Sequence, residues 1–299
     1  MRIDEKLQSG EPCFSVEFFP PKDAAAAETL DQTLGMLGPM KPCFYSVTYG
    51  AVGAQRNGTV ELANQLQAES GVDTMAHLSC VGESVDGIRS ILDDLVAGGV
   101  ENVLALRGDP PRGEGEFTRP ENGLGGSAEL AALIRAEYPQ ISIGASCFPE
   151  VHPEAPSAEA DIAYLKTKVE SGADFLISQL FFDNETYFDF VDAAQAAGID
   201  VPIIPGLMPI TSYKSISRMA GLCEASIPKD LAAAMDDLAG DQEAEAQLGL
   251  AYASQQASEL MRGGAPGIHF YSLNRWPSVR ALLATLAATR PWREKVTHG

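Results

Sequence analysis

The sequence predicts an α/β chain folded as a (β/α)8 TIM barrel with extra helices between strands seven and eight. Three observations carry that prediction. Short β-rich runs recur at about 30-residue spacing, the length of one βα unit. Helical patterns fill the intervals between them. The first strand ends in Phe18-Phe19-Pro20-Pro21, whereas a doubly wound open sheet that binds a dinucleotide places a glycine-rich turn there.

The predicted strands are 13–19, 43–48, 74–77, 102–106, 141–147, 175–179, 202–205 and 267–271. In the first, Phe14, Val16 and Phe18 share one face and Cys13, Ser15 and Glu17 the other. The bulky face is expected against the helices, so Glu17 points into the barrel mouth. Helical patterns follow at 24–37, 60–69, 85–97, 128–137, 158–171 and 185–197. Ser84, Ser127 and Ser157 stand at N-cap positions, and Gly99, Gly172 and Gly198 stand where a helix-ending glycine belongs. The interval 205–267 is about twice the usual spacing and is expected to hold helices at 229–238 and 243–261. No Pro/Ser linker interrupts the pattern, so residues 1–299 are read as a single barrel domain.

Lys plus Arg number 21 and Asp plus Glu 41, a formal net charge of −20. That charge argues against a nucleic-acid backbone or an anionic membrane as the main partner. The first ten residues contain no apolar signal core, and no apolar run approaches the roughly 18 residues of a spanning helix. A cytoplasmic protein is expected. The five cysteines, Cys13, Cys43, Cys80, Cys147 and Cys223, include no C-x-x-C pair. Buried free thiols are the expectation, not a zinc site or a disulfide framework.

A barrel carries its chemistry at the C-terminal ends of its strands. Those ends hold Glu17, Thr48, His77, Arg107-Gly108-Asp109, the run from Phe148 to Ala155, Gln179 and Asn274-Arg275. Each has a bland reading alone: Glu17 bridged to a barrel Arg or Lys, His77 a satisfied core histidine, Arg107 with Asp109 a local ion pair. Their convergence on one mouth raises the case for an active site. A carboxylate at position 17, desolvated by neighbours such as Phe19, suits a general acid. No strand end offers a lysine for a Schiff base, no histidine pair stands with carboxylates at metal spacing, and no G-x-S-x-G elbow is present. No metal is expected. The set suits a large, flat heteroaromatic ligand better than a hydrolytic site.

The runs FSVEFFPP (14–21), SVTYGA (46–51), ALRGD (105–109), FPEVHPEA (148–155), SQLFFD (178–183), IPGLMP (204–209) and HFYSLNR (269–275) resemble the methylenetetrahydrofolate reductase family, in its bacterial single-domain form. The resemblance runs in order over residues 12–288. It implies an oxidoreductase that reduces 5,10-methylenetetrahydrofolate to 5-methyltetrahydrofolate, supplying methyl groups for methionine synthesis. Electrons would come from NADH or NADPH through non-covalent FAD, in a homotetramer. By resemblance, Glu17 is the general acid that opens the imidazolidine ring, and Asp109 is a carboxylate tuning flavin and pterin. Thr48, His77, Arg107, Gly108, Asp109, Phe148, His152, Ala155, Asp161 and Lys168 match FAD-contacting positions. Gln179, Tyr271 and Arg275 match folate-side positions, Arg275 serving the glutamate tail.

The chain also departs from the enterobacterial pattern. Gly125-Gly126 replaces Tyr-Ala, Tyr164 and Thr167 replace an Asn and an Arg, and Ser215 and Met219 replace a Gln and a Phe. These departures bear on flavin grip and nucleotide preference, with Tyr164 a possible substitute for the ring lost at Gly125. The rival readings are a metal-independent aldolase or lyase on the same barrel, with Glu17 as base, and a non-catalytic flavin- or folate-binding barrel.

Overall fold

The computed structural model describes residues 1–49, 56–108 and 117–293. Eight parallel strands close on themselves in sequence order: β1 (Cys13–Phe18), β2 (Phe44–Val47), β3 (Asp73–Ser79), β4 (Asn102–Leu106), β5 (Ser142–Cys147), β6 (Phe175–Leu180), β7 (Ile203–Leu207) and β8 (Gly267–Tyr271). Closure is made by β8 against β1, with Ser15 opposite His269 and Glu17 opposite Tyr271. On the other side of β1, Glu17 stands opposite Ser46 of β2.

A short helix, α1 (Ile3–Gln8), precedes β1. The helices α2 (Ala24–Leu37), α3 (Arg56–Glu69), α4 (Val85–Ala97), α5 (Ser127–Glu137), α6 (Ala158–Glu170) and α7 (Asn184–Ala196) then alternate with the strands. Between β7 and β8 lie α8 (Tyr213–Cys223), α9 (Lys229–Asp237) and α10 (Gln242–Arg262), and α11 (Trp276–Thr289) follows β8.

Local chemistry explains many boundaries. Ser84 and Ser157 cap α4 and α6 by accepting from the N–H groups of Gly87 and Ala160. Ser127 does not cap. It is the first residue of α5, and its hydroxyl lies 3.4 Å from the Tyr164 hydroxyl instead. Gly99, Gly172 and Gly198 adopt the positive φ that ends α4, α6 and α7.

The core divides as strand alternation dictates. Val16 and Phe18 pack outward under the helices. Cys13, Phe44, Met75, Leu104, Phe175, Ile177 and Ile204 fill the barrel interior, and Ile3 of α1 joins them. The N–H of Ile3 donates to Asn102 Oδ1 at 2.8 Å, which seats α1 at the end of the barrel opposite the mouth. The interior is thus closed below, and ligand space is left to the C-terminal mouth. There, Leu180, Phe182, Met208 and Ile210 pack with Ile216, Leu231 and Met235 of α8 and α9.

The cysteines require a correction. Cys13 and Cys43 form a disulfide across 30 residues of sequence. Cys13 begins β1 and Cys43 immediately precedes the neighbouring parallel β2, where the N–H of Cys43 donates to the Phe14 carbonyl. That pairing gives no close-spaced motif in the sequence. Cys80 and Cys147 are buried thiols, as expected.

Candidate active site

Alternation along β1 turns Glu17 into the mouth, where it is 6% exposed. Its Oε2 lies 3.6 Å from Nε2 of His77 on β3 and 3.5 Å from Nε2 of His269 on β8. The bland alternative, a bridge to a barrel arginine or lysine, is not seen among the described residues. Phe19, expected to shield it, is 41% exposed at the rim, with its N–H bonded to Asn274 Oδ1 at 2.8 Å. Imidazoles supply the enclosure instead.

Each imidazole is fixed by a serine. His269 Nδ1 and Ser15 Oγ share a 2.7 Å hydrogen bond, as do His77 Nε2 and Ser46 Oγ. Burial drives His77 down to about 4; repulsion from His269 adds to this, and attraction to Glu17 only partly offsets it. His77 is therefore neutral near pH 7. The Nε2 of His269 is buried without a hydrogen-bond partner, beside the Glu17 carboxylate. Sequence reading found Glu17 and His77 but assigned no role to Ser15, Ser46 or His269. The interior-facing positions of the strands carried the signal, which only the register makes visible.

Tyr271 stands edge-on to His269, and its hydroxyl donates to the Ser178 carbonyl at 2.7 Å. Burial raises its phenol well above the ordinary value, so it acts as a neutral donor. Gly206 lets this ring approach: its N–H donates to Ser178 Oγ, and a Cβ there would stand 2.7 Å from the Tyr271 hydroxyl. Thr48 is buried at the end of β2, where its carbonyl accepts from the Thr59 hydroxyl. Arg275 is exposed at the start of α11.

A cavity of about 600 Å³ opens over the ends of β4, β5 and β6. Arg107, Gly108, Phe148, His152, Ala155, Asp161, Lys168 and Gln179 all line it. Because the sheet closes, it shares the C-terminal mouth with the cluster on β1, β3 and β8. The run after β5 is braced internally: the Asp161 carboxylate accepts from the His152 N–H at 2.9 Å, and His152 Nδ1 accepts from the Glu154 N–H at 3.0 Å. Asp161 thus holds the loop in shape as well as facing the cavity. Arg107 is engaged by Glu154, with Nη2 2.9 Å from Oε1, and its guanidinium lies over the Phe117 ring. This pairing holds the Glu154 carboxyl below its ordinary value.

Lys168 is the distinctive cation. It is 5% exposed, and its Nζ donates to the Ser146 carbonyl at 2.8 Å. Burial lowers its affinity for a proton. The Asp161 carboxylate offsets part of its charge without an ion pair among the described residues, and an anion in the cavity would answer the rest. An aromatic-lined space with a buried ammonium fits a flat, anionic cofactor. Thr167 does not line the cavity; its hydroxyl turns back to the Ala163 carbonyl of its own helix. Asp109 lies outside the described residues.

Residues 2–287 match the family model for methylenetetrahydrofolate reductase. The chain belongs to the methylenetetrahydrofolate reductase family. It is 37% identical to 5,10-methylenetetrahydrofolate reductase of Escherichia coli K12, over 93% of this chain and 91% of that one. It is 35% identical to methylenetetrahydrofolate reductase (NADH) 1 of Arabidopsis thaliana, over 98% of this chain. The chain spans about half the length (53%) of that plant relative. Among solved structures, an uncharacterized Clostridium thermocellum protein that binds two copies of 5-methyl-5,6,7,8-tetrahydrofolic acid superposes with a TM-score of 0.62, at 15% identity and covering 95% of this chain and 97% of that one. At that identity the likeness concerns the fold of the reductase-family barrel. No helix among the described residues is long and apolar enough to cross a membrane.

Proposed function

We propose that this chain reduces 5,10-methylenetetrahydrofolate to 5-methyltetrahydrofolate with electrons from NADH or NADPH, using non-covalently bound FAD. The observation that carries the reading is Glu17: a mouth carboxylate set between two serine-anchored imidazoles, with no cation paired to it among the described residues. Its place in the mouth suits it to act as general acid toward a substrate nitrogen.

Bound FAD would supply hydride chemistry, taking hydride from the pyridine nucleotide and giving it to the folate. The chain's own part is binding and proton management. Lys168 and the backbone around Gly108 would face the cofactor's diphosphate, and the phenyl ring of Phe148 would bound its flat part. Gln179 and Tyr271 would hold the pterin beside Glu17, and Arg275 at the rim would meet the glutamate tail. Glu17 would protonate a nitrogen of the imidazolidine ring, so that the ring opens to an iminium carbon ready to be reduced. Asp109 would tune flavin and pterin by its negative charge. On the same reading the product feeds methionine synthesis, and the enzyme acts as a cytoplasmic homotetramer.

The test is direct. Purified protein reconstituted with FAD should bleach on adding NADH or NADPH, recolour with menadione, and form 5-methyltetrahydrofolate from the methylene substrate. Protein that binds no flavin yet cleaves a carbon–carbon bond would support the lyase reading. Flavin binding without turnover would leave a binding module.

A further inference from the structure

A second cavity, of about 420 Å³, lies at the opposite end of β1 from Glu17. It is bounded by the segment entering β1, the turn before β2 and the end of α11. The strands run parallel, so the starts of β1 and β2 lie away from the mouth. Among the described residues its wall holds three cations, Lys41, Arg290 and Arg293, and one carboxylate, Glu11. The chain as a whole carries 21 basic and 41 acidic side chains, so this wall reverses the charge balance of the molecule. All three cations are exposed, and no carboxylate among the described residues forms an ion pair with any of them.

The backbone places each cation. Lys41 follows the short 3-10 helix Gly38–Met40 with a left-handed φ of 51, and Arg290 ends α11 with a left-handed φ of 48. Arg293 closes the next turn, Pro291–Arg293, where its N–H donates to the Arg290 carbonyl at 3.0 Å. Arg290 Nε donates to the Ala287 carbonyl at 3.3 Å, which leaves its terminal N–H groups for a ligand. The rest of the wall is largely apolar and includes two half-buried rings, Phe14 and Trp292, with centroids 5.6 Å apart and planes tilted by 57°.

We propose that this cavity is a binding site for an aromatic phosphate, a ring that carries a phosphate dianion. Its volume is that of a small-molecule site. The phosphate oxygens accept from the two guanidinium groups and the ammonium, and the ring packs against Trp292. An inorganic anion alone leaves the aromatic wall unused, and a neutral ring leaves the cations unanswered. The site stands at the far end of β1 from Glu17, so its occupant is distinct from the ligands of the mouth.

The experiment is isothermal titration calorimetry of the purified protein with 1-naphthyl phosphate, and separately with its two halves, inorganic phosphate and 1-naphthol. Naphthyl phosphate should bind at a single site per chain, about tenfold or more tighter than either half. Added NaCl should weaken it by screening the cations. Lys41→Asn combined with Arg293→Gln should weaken it about tenfold. Both replaced side chains are exposed, and asparagine accepts the left-handed backbone at position 41, so the double variant should melt with wild type. Lys168→Met, in the mouth, should leave naphthyl phosphate binding unchanged. The salt dependence and the comparison of halves carry the test even where the double variant melts lower. No binding to wild type, binding no tighter than that of either half, binding insensitive to salt, or unchanged affinity in a folded double variant would overturn the proposal. Weakening by Lys168→Met alone would place the ligand in the mouth and overturn it equally.

Discussion

The carboxylate of Glu17 lies 3.5 Å from the Nε2 of His269, a buried nitrogen with no hydrogen-bond partner of its own. Register creates this relationship: Ser15 stands opposite His269 across the closing seam, and Glu17 is two residues further along the same interior face. Ser15 fixes one nitrogen of the ring, leaving the other beside the acid.

His77 gives the cluster a pH signature. Its folded value is about 4, mainly through burial, against about 6.5 in an unfolded chain. The unfolded state takes up this proton first, so stability falls as pH drops from about 6.5 toward 4, by about 3 kcal/mol for this group. Denaturant unfolding across that window should show the slope, and His77→Gln should flatten it. An equal slope in the variant would assign the effect to other groups.

Gly206→Ala should destabilise the protein by about 1–3 kcal/mol. The added carbon would lie 2.3 Å from the Ser178 carbonyl oxygen and 2.6 Å from Cε2 of Tyr271. The backbone oxygen cannot retreat cheaply, so the tyrosine must swing and its bond to Ser178 must break. Chemical denaturation reads the cost. A variant as stable as wild type would mean that the β7–β8 end is looser than the packing described.

Much of this was legible in the sequence, and the exceptions have physical causes. The alternation of Phe14, Val16 and Phe18 with Cys13, Ser15 and Glu17 decided which face of β1 lines the mouth, and the structure keeps that assignment. The interval before β8 held the extra helices at nearly the expected bounds. What failed were contacts between residues far apart in sequence. His269 meets Glu17 only because the barrel closes; Cys13 meets Cys43 only because β1 neighbours β2; Glu154 captures Arg107 across 47 residues. Ser127 looked like a cap because serine precedes a helical pattern, but α5 begins one residue earlier and the hydroxyl turns toward Tyr164.

Lys168→Met should separate fold from cofactor. Replacing a buried cation by an apolar side chain of similar length is often neutral or stabilising, so the apo protein should melt no lower than wild type. FAD affinity should fall about tenfold or more, because a charge-assisted hydrogen bond to the diphosphate, roughly 1.5–3 kcal/mol, is lost. Apo melting curves and FAD titration give the two readings. Destabilised apo protein with unchanged FAD affinity would make Lys168 a structural tie to Ser146 alone.

The most direct measurement is the rate of each half-reaction in Glu17→Gln, followed by stopped-flow absorbance of the flavin. The amide keeps the shape of the side chain and cannot deliver a proton. Reduction of the flavin by NADH or NADPH should proceed at close to the wild-type rate, while reoxidation by 5,10-methylenetetrahydrofolate should slow by about 10²–10⁴-fold, the usual worth of general acid catalysis. Equal loss in both half-reactions, or reoxidation at the wild-type rate, would contradict the assignment of Glu17 as the proton donor.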